Sequence, residues 1–212
     1  MLGKKETPAK GPTVFIVDDD LAVRDALENM VQSVGLRAVT FGTAGEFLQA
    51  ERPDAPSCLV LDVRLPKVNG LEFQAELEKL SIRLPIIFIS GYADVPMSVQ
   101  AMRRGALDFF CKPVRELDLL TAIQAALERD GEWRKQRSVI TNLQTLYDSL
   151  TPREQEVMGL VVKGLMNKQM AWQLGISEIT VKVHRANVMR KMGAQSLAEL
   201  VRMADTLASH RS

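Results

Sequence analysis

The chain has 212 residues, 46% hydrophobic and 25% charged, an ordinary globular composition with room for one large domain or two small ones. No apolar run reaches the roughly 18 residues a membrane span needs, and residues 1–12 read as a polar, disordered tail with no apolar stretch, against a secretory signal. The net charge of +1 hides an asymmetry: residues 1–130 hold 15 basic and 19 acidic side chains, residues 131–212 hold 12 and 7, so nucleic acid is a candidate partner for the basic half.

Val14-Phe15-Ile16-Val17 is a short β-branched and aromatic run that stops at Asp18-Asp19. Asp20 can cap a helix over 21–34, and Gly35 stops it. A strand follows over 37–41, and Thr43-Ala44-Gly45-Glu46 is a capping-box pattern opening a short helix. Leu59-Val60-Leu61 stops at Asp62. Arg64-Leu65-Pro66 and Asn69-Gly70 make a loop before a helix over 71–80. Ile86-Ile87-Phe88-Ile89 stops at Ser90, Pro96 fits the first turn of a helix that Gly105 ends, and Phe109-Phe110-Cys111 stops at Lys112. Five strands alternating with five helices in about 120 residues predict a doubly wound α/β domain with a five-stranded parallel sheet. Cys58 and Cys111 stand alone in these apolar strands and read as buried free thiols, in keeping with a reducing cytoplasm.

A roughly helical spacing of Leu120, Ile123, Leu127, Ile140, Leu143, Leu146 and Leu150 predicts a helix or helical linker over 116–148, interrupted or kinked at Gly131. Thr151-Pro152-Arg153-Glu154 joins an N-cap, a first-turn proline and a capping-box glutamate. That helix ends at Gly164. A second spans 167–174, Gly175-Ile176-Ser177 turns the chain, and a third runs to Met192. Ser196-Leu197-Ala198-Glu199 opens a fourth. Two helices joined by a short glycine turn in a basic all-α domain suggest a helix-turn-helix.

Ligands of open α/β sheets lie beyond the carboxyl ends of the strands. If the strands are adjacent, three carboxylates, a hydroxyl and an ammonium meet at one rim. Carboxylates so close repel unless a hard cation sits among them, which asks for Mg²⁺, and the remaining donors suit a phosphoryl group.

Val17-Asp18-Asp19-Asp20, Leu61-Asp62-Val63-Arg64-Leu65-Pro66, Ile89-Ser90-Gly91 and Cys111-Lys112-Pro113 resemble the receiver domain of a two-component response regulator, of flavodoxin-like fold. Leu150 to Glu154, Asn167-Lys168-Gln169-Met170-Ala171 and the run from Thr180 to Asn187 resemble a LuxR-type DNA-binding domain. The order of the two is similar to the FixJ/NarL class, FixJ-like regulators above all. The resemblance implies a receiver over 13–129, a helical linker over 130–148 and a LuxR-type domain over 149–212. It makes Asp62 the phosphoacceptor. Asp19 becomes a direct Mg²⁺ ligand and Asp18 one acting largely through water, while Asp62 and the backbone carbonyl of Arg64 complete the protein's metal ligands. Ser90 and Lys112 would bind the phosphoryl oxygens, and Phe109 holds the aromatic switch position, although its residue type alone fits plain core. The implied partners are a sensor histidine kinase, promoter DNA, RNA polymerase and a second copy of the chain, with phosphorylation favouring dimerisation through the face over residues 95–127.

On the third helix, Val181, Arg185, Val188 and Met192 fall near one face, and Lys182, Val183, Ala186, Asn187 and Arg190 largely on the other. Val183 or Ala186 can touch a thymine methyl, and Lys182 and Asn187 can reach base edges. Thr180, Arg185, Lys168 and Arg190 suit phosphates. His184 and His210 are the chain's histidines, so the receiver half has none and a Ser/His/Asp enzyme is excluded.

Two alternatives stand beside this reading. An aspartate-nucleophile phosphohydrolase would place a second aspartate two residues after the nucleophile, where Arg64 stands. A regulator needing no phosphate is disfavoured by the intact pocket. Several positions depart from the family pattern: Ser90 stands where threonine is common, Tyr92 for a histidine, Val114 for a phenylalanine. Trp172 replaces a smaller or polar residue, and reads as core or as part of an interface.

Overall fold

The computed structural model describes residues 11–66, 68–91 and 95–209. The first ten residues of the expected tail, Tyr92 and His210 lie outside the described residues. The chain divides into two compact units, one through Arg134 and one from Lys135.

The first unit runs β1 (Thr13–Val17), α1 (Leu21–Ser33), β2 (Arg37–Phe41), α2 (Ala44–Gln49), β3 (Ser57–Asp62), β4 (Arg64–Leu65), β5 (Val68–Asn69), α3 (Gly70–Lys79), β6 (Ile86–Ser90), α4 (Val95–Arg103), β7 (Asp108–Cys111) and α5 (Glu116–Asp148), which continues into the second unit. Five strands form one parallel sheet in the order β2-β1-β3-β6-β7. Strands buried on both faces must be apolar at every position, and β1, β3 and β6 are buried throughout. Their side chains alternate between two cores. Phe15, Val17, Leu59, Leu61 and Phe88 face Phe47, Leu71, Phe73, Leu77 and Ala101 from α2, α3 and α4. Val14, Ile16, Cys58, Val60, Ile87 and Ile89 face Val31 of α1 and Leu119, Ile123 and Ala126 of α5. Asp20 caps α1, accepting from the Ala22 and Val23 amides.

Two expectations need correction. The segment after Asp62 is more than a loop: the chain reverses at Pro66 and pairs β4 with β5 as a short antiparallel ribbon, Arg64 opposite Asn69 and Leu65 opposite Val68. A ladder of two residues a side leaves no periodic trace in sequence. Cys111, expected to be buried, is exposed, because β7 is an edge strand and Cys111 its last residue; Cys58, in the central strand, is buried.

The second unit takes the last turns of α5 and adds α6 (Pro152–Val162), α7 (Asn167–Leu174), α8 (Glu178–Met192) and α9 (Leu197–Ser209). Thr151 and Glu154 close a full capping box on α6. Gly175 leaves α7 at φ +65°, where a Cβ would be strained, and Ser177 then caps α8 by accepting from the Thr180 amide. The core joins Val157, Met158 and Val161 of α6 to Met170, Val181, Val188, Met192 and Leu200, with Leu143 and Leu150 from the segment before α6. Gly131 lies inside α5, which runs through it unbroken. Among the described residues, no helix is long and apolar enough to cross a membrane.

Candidate functional site

Sheet register builds the first site. Val17 pairs with Leu61, so Asp18 and Asp62, the next residue on each strand, emerge side by side. Ser90 pairs with Cys111, and the Lys112 amide donates to the Ser90 carbonyl at 2.8 Å. The sheet therefore delivers Asp18, Asp62, Ser90 and Lys112 to one rim. Ligand oxygens of Asp18, Asp19 and Asp62 all lie within 4.8 Å of one another. Asp18 and Ser90 are fully buried, Asp62 is buried and Asp19 is exposed.

The Lys112 ammonium bridges the cluster, donating at 2.6 Å to Asp18 Oδ2 and at 2.6 Å to Asp62 Oδ2. The second oxygens are held by backbone: Asp18 Oδ1 accepts from the Asp20 amide and Asp62 Oδ1 from the Arg64 amide, each at 3.0 Å. Burial raises the Asp18 carboxyl above the usual carboxylate range, against the hydrogen bonds from Lys112 and Asp20. Burial works to lower the Lys112 ammonium, but its bonds to Asp18 and Asp62 outweigh that and leave it raised. An oxygen-rich set of three carboxylates suits a hard divalent metal. Phe109 is half-buried, its ring centroid 6.2 Å from that of Phe88 beneath the pocket. The Cys58 thiol is pushed up to about 12 by burial and then by the charge of Asp130, so it stays protonated and inert.

Sequence patterning misses one residue of this site. Gly70, a turn glycine by its neighbours in sequence, opens α3 behind the acidic strand. A Cβ on it would stand 2.6 Å from the Asp62 carbonyl oxygen and 3.0 Å from Val63 Cα. Asn69-Gly70 reads as a turn wherever it occurs, so the dipeptide alone does not reveal the close approach.

The second candidate site is the α7–α8 pair. Val181, Val188 and Met192 are buried, whereas Lys182, Val183, Ala186 and Arg190 are exposed and Thr180 and Asn187 half-buried. Lys168 on α7 is exposed. Arg185 is half-buried, and its guanidinium donates to Asn167 Oδ1 at 2.7 Å, tying α8 to the start of α7. Trp172, for which core was one reading, is 87% exposed. The structure adds a tie across the domain: Lys191 donates at 2.6 Å to Glu154 of the α6 capping box.

Comparison with known proteins gives a family for each half of the chain. Residues 14–124 match the Response regulator receiver domain family, and residues 148–204 match Bacterial regulatory proteins, luxR family. The chain is 55% identical over 194 residues to Nodulation protein W of Bradyrhizobium diazoefficiens, covering 92% of this chain and 86% of that one. It resembles the solved structure of Response Regulator StyR with a TM-score of 0.83 at 47% identity, over 92% of this chain and 98% of that one. Full-length FixJ from B. japonicum matches with a TM-score of 0.55 at 37% identity, over 93% and 97%. The chain belongs to the two-component response regulators of the FixJ/NarL type: a receiver domain joined to a LuxR-type helix-turn-helix, in a DNA-binding transcription regulator activated by phosphorylation.

Proposed function

We propose that Asp62 is the phosphoacceptor, and that residues 13–129 receive the phosphoryl group from a sensor histidine kinase. Residues 130–148 form the helical link and residues 149–212 bind promoter DNA as a homodimer in the cytoplasm, where RNA polymerase is the further partner. The observation that carries this reading is the Asp62 carboxylate itself, at the end of the central strand and held at 2.6 Å by Lys112 within a three-carboxylate cluster.

Asp62 Oδ2 attacks phosphorus, the P–N bond of the donor phosphohistidine breaks, and the imidazole leaves with its electron pair and gains a proton. The product is an acyl phosphate on Asp62. Asp18, Asp19, Asp62 and the Arg64 carbonyl would hold Mg²⁺, which would supply charge neutralisation for the carboxylate and the incoming phosphoryl group. The Arg64 amide keeps Asp62 oriented. Ser90 and Lys112 then hold the new phosphoryl oxygens. Two hydrogen bonds to a charged group supply about 3–6 kcal/mol, against the ~5.5 kcal/mol that turns a 1:99 equilibrium into 99:1. Lys112 is already paired with two carboxylates, so its contribution is an exchange of partners and the sum lies toward the lower bound.

On the DNA side, Lys182 and Asn187 would read base edges in the major groove, Val183 and Ala186 would meet thymine methyls, and Thr180, Arg185, Lys168 and Arg190 would contact phosphates.

The test is mass spectrometry after incubation with acetyl phosphate. A single phosphoryl addition is expected, lost in Asp62→Asn and lost on chelation. Labelling that survives either treatment counts against the assignment.

A further inference from the structure

Arg185 is a charged residue on the packed face of α8. It stands four residues after Val181 and three before Val188, both fully buried, so at about 3.6 residues per turn its stem leaves the helix on the core side. A guanidinium cannot stay among such neighbours without hydrogen-bond partners. This one is half-buried and reaches the first residue of α7, its Nη1 donating at 2.7 Å to Asn167 Oδ1.

The start of α7 does not need that asparagine side chain. Met166 is the N-cap, and its amide donates to Gln169 Oε1 at 2.8 Å. Among the described residues, the Asn167 side chain has no hydrogen-bond partner but Arg185. Its neighbour in sequence is Lys168, which is exposed. The bond therefore delivers the Arg185 charge to the end of α7 where another cation already meets solvent. An arginine presents its donors in a rigid planar fork. Asn167 takes Nη1 and fixes the plane, while Nε and Nη2 have no protein partner among the described residues. An arginine free in solvent loses side-chain entropy when it grips a phosphate, and one held beforehand is spared most of that cost.

We propose that Asn167 is a positioning residue for DNA binding: it holds Arg185 Nη1, so that Nε and Nη2 are set for a backbone phosphate at the Lys168 end of α7, and touches no DNA itself. This rests on Arg185 being a phosphate contact.

The test uses the full chain, incubated with acetyl phosphate, as wild type, Asn167→Ala, Arg185→Ala and the double variant. Affinity is measured across a salt titration for a duplex that the wild type selects from random sequence, and for a scrambled one. Arg185→Ala is expected to weaken both about tenfold or more and to reduce the salt slope by about one unit, because one phosphate is no longer neutralised. Asn167→Ala is expected to weaken both about three- to tenfold, the cost of ordering one long side chain on binding. Its salt slope should match wild type, because the charge is still present. Added to Arg185→Ala, it should weaken binding by less than about twofold, since no guanidinium is left to hold. A loss there as large as in wild type makes Asn167 a DNA contact in its own right and overturns the proposal. Wild-type affinity in Asn167→Ala overturns it as well. Should Asn167→Ala fail to fold, Asn167→Gln, which keeps the amide and moves its oxygen, carries the same expectations. An Arg185→Ala chain with the wild-type salt slope removes the phosphate reading of Arg185, and this proposal with it.

Discussion

Gly70 sets the tightest steric condition on the pocket. A methyl group there would press on the Asp62 carbonyl oxygen at 2.6 Å and on Val63 Cα at 3.0 Å, with the Phe88 ring at 3.3 Å closing the retreat. Two of these neighbours are backbone and cannot swing aside, so α3 or the end of β3 must move. Gly70→Ala is expected to cost about 1–3 kcal/mol, the range for overpacking a filled core, measured by urea unfolding. It should also slow acetyl phosphate labelling about tenfold or more, because a 1 Å misplacement of reacting groups costs up to ~10²-fold. Unchanged stability and labelling would remove Gly70 from the site. Asp18, Asp62, Ser90 and Lys112 were legible in sequence because each ends or follows a short apolar run, and a parallel sheet gathers such ends at one rim. Gly70 was not, since its constraint comes from backbone that the fold brings behind it.

Caps mark the elements best. Asp20, Thr151, Ser177 and the αL glycine at 175 place α1, α6, α7 and α8 to within a residue or two, each acting on amides or carbonyls of its own turn. Elements too short to show a period, such as the β4–β5 ribbon, or set by edge position, such as exposed Cys111, leave no local signature. Glu154 serves both kinds of structure, as capping box and as tertiary anchor. Its bond from Lys191, and then that from the Thr151 amide, lower its pKa from 4.5 to about 2. For a depressed carboxyl the stabilisation is complete above the unfolded value and lost as pH falls through the folded one. Protection of α6 and α8 amides from hydrogen exchange is therefore expected to decline between pH 4.5 and about 2. Glu154→Gln should show less protection at neutral pH and a flatter decline on acidification; a profile parallel to wild type would contradict the assignment. On the α7–α8 pair, Lys182→Ala is expected to cost about 1–3 kcal/mol and relax preference at one base position. Lys168→Ala should weaken all sequences alike and reduce the salt slope by about one unit. Equal loss for specific and non-specific duplexes in Lys182→Ala would assign it to phosphate.

At the scale of the molecule, the receiver's α4–β7–α5 face leaves apolar side chains in water: Val95 is 76% exposed and Leu117 75%, with Val99 and Met102 beside them. A LuxR-type domain reads two half-sites, and joining two copies makes the second docking intramolecular. Sedimentation with beryllofluoride, a phosphoryl mimic, is expected to shift the full chain from monomer to dimer, and Leu117→Glu to abolish the shift. A monomer at saturating mimic would contradict a dimer driven by phosphorylation. The two-part plan was legible from charge and motif order, but the depth of the second part was not. Leu143, Leu146 and Tyr147, all on α5, belong to the C-terminal core, about two helical turns before the cap at Thr151. Residues 135–139, 141 and 142 are exposed and residue 140 half-buried. Genes of this build can exchange their output halves by recombination only where the crossover carries a whole core with it. A junction at codon 149 would strand part of that core in the donor, whereas one within codons 135–142 cuts through solvent-facing helix and passes on a heritable module that folds with its own interior.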